Sequence, residues 1–376
     1  MIAARVLFFL LCLSMVNSND NSQKSITDIE NILVGHSVRT ERPTGCTVII
    51  CNTTCIGAVD VRGSAPGTRE TDLLDPLNIV EHVNAITLCG GSAFGLDAVA
   101  GVVKCLDEKQ LGFPTLTRRV PIVPAAVLYD LYTKNDALIV PDADIGYSAC
   151  ISANNSNFLE GNVGAGAGAL IGKVFGVQRA MKGGLGTTSL TVFDSKTNAS
   201  VTVGALVAVH AVGDIYKNGQ LFAGARTADG KNLVNTVEFL LKNGPSSVKS
   251  SFPGTATTLA CIATNAKLTK AQAKKVSQMA HDGFARAINP VHTMNDGDII
   301  FTLATGTSSV SDVNLIGMIA ARVVEQAIVQ AIEKATSSSV FPNINDFRAN
   351  SSSSEQTNLL IILFLTFCFF LNSLIF

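Results

Sequence analysis

Tryptophan is absent from this 376-residue chain, tyrosine occurs four times and histidine five times. Charged residues make up only 15% of it, 28 Lys and Arg against 29 Asp and Glu, for a net charge of −1. With no basic stripe, the chain lacks the electrostatic footprint of a nucleic-acid partner. His36, His82, His281 and His292 carry no metal-ligand spacing, so no metal is expected. The glycine-rich word from Gly161 to Lys173 is not a nucleotide site either. A phosphate loop ending at Lys173 needs glycine at 167 and a hydroxyl at 174, where Ala167 and Val174 stand. Gly164, Gly166 and Gly168 lack the third glycine of the dinucleotide fingerprint. The plainer reading of these glycines is a tight backbone.

Both ends of the chain carry apolar runs. Arg5 precedes the run Val6 to Leu13, and small and polar residues follow by Ser18. That run is too short to span a bilayer and has the form of a secretory signal over 1–18. Residues 359–376 are almost wholly apolar with no basic flank, and the stretch 341–358 before them is rich in serine. Small acceptor, polar spacer and terminal tail read as a GPI-attachment signal, with Asn350 or Ser351 as the anchor site. A transmembrane anchor is the rival, but it would carry Lys or Arg on its cytosolic side. The expected location is the extracellular face of the plasma membrane, held through a lipid anchor. Sequons at Asn52, Asn154 and Asn198 are then open to glycosylation.

Nine cysteines occur, of which Cys12 and Cys368 fall in the end segments. In an oxidising compartment the cluster Cys46, Cys51 and Cys55 predicts a local disulfide, Cys51 with Cys55 or Cys46 with Cys55. Zinc is disfavoured there because no histidine lies in the cluster. Cys89, Cys105, Cys150 and Cys261 sit in apolar surroundings and read as buried thiols.

The body of the chain alternates strand and helix patterns, an α/β organisation. Thr47 to Cys51 and Ala85 to Cys89 are apolar runs of strand type. Ser92 to Lys109 has helical spacing, and Val120 to Leu128 reads as extended because Pro121 and Pro124 oppose a helix. Thr188 to Phe193 and Val201 to Val212 form a hairpin across Asp194 to Asn198. Thr269 followed by Gln272 predicts a capping box opening a helix to Ile288. Asp298 to Thr305 is a strand and Ser311 to Thr336 a long helix. Asn243 to Gly254, rich in Ser, Gly and Pro, reads as a linker.

That linker leads into Ala256-Thr257-Thr258-Leu259-Ala260-Cys261, a hydroxyl-led strand, and Asp296-Gly297-Asp298 follows further on. An internal threonine freed by self-cleavage carries its own base, because an α-amine titrates at about 7.7–8.0 and activates the adjacent hydroxyl. Residues i and i+2 of a strand share a face, so Asp296 and Asp298 would reach one site and hold one proton between them. The bland alternative is a core strand and a surface turn.

Nine words in order carry a resemblance. They are TDIENILVGH (27–36), GAVDVRGSAPGTRETDLLDP (57–76), LCGGSAFGLDA (88–98), VPIVPAAVLYDL (120–131) and GNVGAGAGALIGK (161–173). After them come MKGGLGT (181–187), VTVGALVAVHAVGD (201–214), ATTLACIATNAKLTKAQAKK (256–275) and PVHTMNDGD (290–298). From Ser25 to about Ala335 the chain resembles the P1 (S58-type) self-processing aminopeptidases and amidases, and DGD is closest to the nylon-oligomer endo-hydrolase branch. The resemblance implies a four-layer αββα sandwich and cleavage between Ala256 and Thr257. The two chains, 19–256 and 257–340, would form an α/β heterodimer within a higher homo-oligomer acting on a small peptide or amide. It also implies a nucleophile at Thr257, partners at Asp296, Asp298 and Lys182, and oxyanion contacts from His210 and Tyr129. Two positions depart from the branch: Ala256 and His210 each stand where asparagine is usual. They motivate two other readings, a catalytically silent binding protein and an acyltransferase of the ornithine-acetyltransferase type.

Overall fold

A computed structural model describes residues 23–349 apart from 133–137, 157–158, 196–197 and 249–254. The expected signal segment, the anchor candidates Asn350 and Ser351, the apolar tail and half of the expected linker lie outside the described residues.

The centre is a nine-stranded mixed sheet. Its strands are β1 (Ile32–Val38), β2 (Gly45–Val61), β3 (Gly67–Arg69), β4 (His82–Cys89), β5 (Ala125–Val127), β6 (Gly184–Asp194), β7 (Ala199–His210), β8 (Thr257–Ala266) and β9 (Ile299–Ser308). They run in the order β6-β7-β8-β9-β2-β4-β5-β3, with β1 also paired to β2. Four helices cover it: α1 (Ala98–Glu108), α2 (Ala143–Ile151), α3 (Lys270–Ala287) and α4 (Val313–Lys334).

The near-continuous apolar strands follow from burial on both faces. In β7, Val201, Val203, Ala205, Val207 and Val209 join one core with α3 and α4, while Leu206 and Ala208 join a second. β8 splits the same way, Ala260 and Ile262 to the first core, Leu259, Cys261 and Ala263 to the second. In β2, Cys46, Val48 and Ile50 face a third core with α1 and α2. β2 thus belongs to both halves, pairing β4 near its start and β9 near its end.

Most of the expected elements form. Thr269 and Gln272 exchange the reciprocal hydrogen bonds of a capping box at the start of α3. The β6–β7 hairpin closes with Asp194 opposite Ala199. α4 is long and apolar enough to cross a membrane, but Ile316, Ala320, Val323, Val324, Ala327, Ile328 and Ala331 recur on the face packed into the first core. Ser92–Asp97 is a 3-10 turn, so the helix proper begins at Ala98.

The cysteine expectations need correction. Cys51 pairs with Cys55, closing the register shift of β2 against β4. Cys46 pairs with Cys89, not Cys55, because the two stand opposite each other on β2 and β4 with Cα atoms 4.2 Å apart. Cys105 pairs with Cys150 across the packed helices α1 and α2. Three of the four expected thiols are therefore half-cystines, and Cys261 alone is free and buried. Asn52, Asn154 and Asn198 are exposed.

Candidate active site

Three strand ends meet at Thr257. β8 and β9 are parallel, with Leu259 opposite Ile299, so both begin at the same edge. β7 runs antiparallel to β8, which brings its last residue, His210, opposite Thr257. A bridge between Ala256 and Asp296 extends the pairing by one step.

Thr257 is 2% exposed, and its hydroxyl donates to the Ala256 carbonyl at 2.6 Å. The same carbonyl accepts from the Gly297 N–H at 2.9 Å. The carbonyl of the expected cleavage bond is thus held by a backbone donor with the threonine hydroxyl against it. A Cβ at Gly297 would lie 2.8 Å from Thr257 Oγ1, so glycine is required by close approach.

Asp296 and Asp298 are buried beside this junction, but not as strand neighbours. β9 proper starts at Ile299, so Asp296 precedes it as the residue bridged to Ala256, and Asp298 stands immediately before the strand. Asp296 Oδ2 accepts from the N–H and hydroxyl of Thr293 at 2.8 and 2.6 Å. Asp298 Oδ1 accepts from the Thr258 N–H at 2.7 Å, and its Oδ2 meets His292 Nδ1 at 2.9 Å. Burial, and then the charge of Asp298, push the Asp296 carboxyl above the usual range.

His210 is fully buried. Its Nδ1 lies 3.0 Å from the Leu170 N–H, which can only donate, so the proton sits on Nε2. That Nε2–H reaches the Thr255 carbonyl at 3.0 Å. Burial, and then the Lys173 charge, hold the ring well below the usual histidine range and therefore neutral.

Lys182 and Tyr129 are placed less directly than expected. The Lys182 ammonium donates to the carbonyls of Ala167 and Ala169 at 2.9 and 3.1 Å, and burial lowers its pKa to about 8. It lines a cavity of about 330 Å³ with Arg42, Asp130, Tyr132, Leu170 and Phe341. Tyr129 meets His210 through its backbone carbonyl. The hydroxyl that reaches the ring is that of Tyr132, 3.0 Å from Nδ1.

Tyr132 and Lys173 are the residues that sequence reasoning missed. Lys173 is buried, donates to the Thr255 and His210 carbonyls at 2.5 and 3.3 Å, and feels both Asp296 and Asp298. Burial drives its pKa well below the usual lysine value. The signal for it lay in the glycine-rich word, where a lysine stands amid apolar and small residues.

Peptidase family S58 matches residues 24–343. The chain belongs to that family. It is 40% identical over 306 residues to an uncharacterized aminopeptidase of Mycobacterium leprae, covering 75% of this chain and 78% of that one. It is 30% identical over 283 residues to a 6-aminohexanoate-oligomer endohydrolase of Kocuria sp., covering 74% of each. Among solved structures, the L-aminopeptidase D-Ala-esterase/amidase of Ochrobactrum anthropi superposes with a TM-score of 0.63 at 20% identity, over 83% of this chain and 86% of that one. A Burkholderia β-aminopeptidase gives 0.59 at 22% identity, over 83% and 87%. These two likenesses concern the fold, a mixed α/β architecture around a large sheet. Membership of family S58 makes this protein a hydrolase of the aminopeptidase and amidase type.

Proposed function

We propose that this S58 hydrolase processes itself between Ala256 and Thr257 and then cleaves small peptides or amides with Thr257 as N-terminal nucleophile. The observation that carries the reading is the Ala256 carbonyl, held by the Gly297 N–H with the Thr257 hydroxyl against it. In processing, Thr257 Oγ1 attacks the Ala256 carbonyl carbon, the C–N bond breaks, and the hydroxyl proton goes to the freed amine. Water then hydrolyses the ester, leaving an Ala256 carboxylate and a Thr257 amine.

The intact chain occupies its own site. His210 Nε2–H and the Lys173 ammonium both donate to the Thr255 carbonyl. Once residues 255–256 leave, those donors and the Gly297 N–H face an incoming acyl group, where they stabilise developing negative charge. The imidazole thus takes the place of the family asparagine. The Thr257 amine accepts the hydroxyl proton, Asp296 with its raised pKa serves the departing amine, and water releases the acyl group. The cavity at Lys182 and Tyr132 adjoins His210 and receives the substrate.

The finer points of architecture and address belong to this proposal. An αββα sandwich is supported by separate buried clusters, one including residues of α3 and α4 and another including residues of α1 and α2. Exposed sequons and paired cysteines fit a secreted, lipid-anchored glycoprotein that assembles as an oligomer of α/β heterodimers.

Denaturing electrophoresis with N-terminal sequencing tests the reading. A fragment beginning Thr-Thr-Leu-Ala-Cys, absent in Thr257→Ala, is expected. Full amide hydrolysis by an uncut chain would sink it.

A further inference from the structure

Beyond the carboxylate of Asp298 lie two histidines whose hydrogen bonds count protons. His281, on α3, has a fully buried side chain. Its Nε2 is 3.1 Å from the Asp60 carbonyl oxygen and 3.5 Å from Asp60 Oδ2, and neither can donate. The proton of His281 therefore sits on Nε2. Burial lowers its pKa to about 3, so the ring is neutral and its Nδ1 is bare. His292 Nε2 lies 3.2 Å from that bare nitrogen and must donate to it.

The other nitrogen of His292 then has no proton of its own in a neutral ring. Yet His292 Nδ1 stands 2.9 Å from Asp298 Oδ2, which also accepts from the His292 backbone N–H at 3.0 Å. A bare nitrogen does not face an ionised carboxylate at that distance. The opposite tautomer of His292 only moves the conflict, setting two lone pairs against each other across the His281 contact. We propose that Asp298 and His292 hold one shared proton in the resting site, fixed there by His281, and that both histidines are positioning residues for the carboxylate beside Thr257.

The surroundings agree. Asp296 and Lys173 lie on the site side of the pair, while Asp60 and Arg62 lie beyond His281. Phe284 contacts both rings, with centroids 5.2 and 5.8 Å away. His292 holds φ at +57°, a left-handed backbone that non-glycine residues adopt at a cost and that marks a constrained position. With Oδ2 engaged by the pair, Asp298 turns Oδ1 to the Thr258 N–H. The Asp298–His292 pair then has no net charge, which leaves Asp296, held by Thr293, as the carboxylate beside Thr257 outside that pair. The mechanistic consequence rests on the proposed function; the proton count does not.

The test uses mature protein with ¹⁵N-labelled histidine, read by long-range ¹H–¹⁵N spectra at about pH 8, above the ordinary histidine value of about 6.5. His281 is expected neutral with its proton on Nε2. His292 is expected protonated at Nε2, with the second proton on Nδ1 or on the Asp298 carboxyl, the latter read by its ¹³C shift. In Asp298→Asn that extra proton should vanish. A singly protonated His292 beside an ionised Asp298 overturns the proposal.

A kinetic arm tests the positioning role. His281→Gln keeps one acceptor and one donor, whereas His281→Leu keeps neither. His281→Leu should lower kcat on an aminoacyl anilide by roughly tenfold or more, below the 10²–10⁴ of a direct proton-transfer group, with KM unchanged. His281→Gln should stay near wild type; equal loss in both variants rejects the positioning role. If the wild type neither cuts itself nor hydrolyses amides, the proposed function fails while the proton count stands.

Discussion

The two halves of the sheet are held together by different means. The half built on β2, β4, α1 and α2 contains the three disulfides found among the described residues, Cys46–Cys89, Cys51–Cys55 and Cys105–Cys150. The half built on β6 to β9, α3 and α4 contains Thr257 and one lone thiol, Cys261. There, cohesion comes from interlocking Val, Ile, Leu and Ala on both faces of β7 and β8. On the proposed self-processing, a break after residue 256 needs a frame that survives it. Packing along β8 offers one, with Leu259, Ala260, Cys261, Ile262 and Ala263 all fully buried.

The sharpest way to break this contrast is at Thr257, the proposed nucleophile. Thr257→Ala should leave a single folded chain and lower amide hydrolysis by roughly 10⁴-fold or more, the scale on which loss of a nucleophile acts. Retained hydrolysis would move the chemistry elsewhere. Next in size is the clamp of the other half. Removing the Cys46–Cys89 bridge as a double Cys→Ser variant opens a loop of 43 residues. Denaturant unfolding should show a loss of about 4 kcal/mol by the chain-entropy relation, with cutting at Ala256 unaffected where the protein stays folded. If cutting slows in proportion, the two halves are not independent.

A smaller effect is expected from Gly297→Ala. Its Cβ would fall 2.8 Å from both Thr257 Oγ1 and the Ala65 carbonyl oxygen. Displacing the hydroxyl by about 1 Å should slow the appearance of the Thr257 fragment by about 10²-fold. The melting temperature should change far less.

The smallest is a pH slope. Burial lowers His281 to about 3, while the unfolded chain binds that proton near 6.5. The unfolded state therefore holds more protons below about pH 6.5, and stability falls as pH drops. Between about pH 6.5 and 5 this one residue should account for roughly 2 kcal/mol. His36, lowered by burial to about 4, adds a slope of the same sign, and Asp214, raised by burial to about 6, opposes it. The difference between wild type and His281→Gln in melting temperature against pH isolates the His281 share, and parallel curves would refute it.

Much of the site was legible because its chemistry is local in sequence. Thr257 opens a strand that an apolar run predicts, and Asp296-Gly297-Asp298 sits one residue short of β9. The strand boundary was misjudged by that one residue. An aspartate before an apolar run reads as its first member, but both carboxylates are taken up by the preceding turn, through Thr293 and His292. Of the two expected pairings, Cys51–Cys55 forms, and the partner of Cys46 differs for a related reason. Closeness along the chain favoured Cys46 with Cys55, whereas the antiparallel pairing of β2 and β4 sets Cys46 against Cys89.

The sequence by itself determined the α/β order, the helix caps, the family and the hydroxyl-led strand, since periodicity, capping and motif words are short-range properties. Only the tertiary structure decided which side chains surround Thr257. Lys173, Tyr132, His281 and His292 reach the site or its carboxylate through the strand order β7-β8-β9 and through contacts between buried groups far apart in the chain. Lys173, for example, bonds a carbonyl 82 residues further along. Their roles follow from the neighbours that satisfy each buried nitrogen, and no spacing along the chain encodes those neighbours.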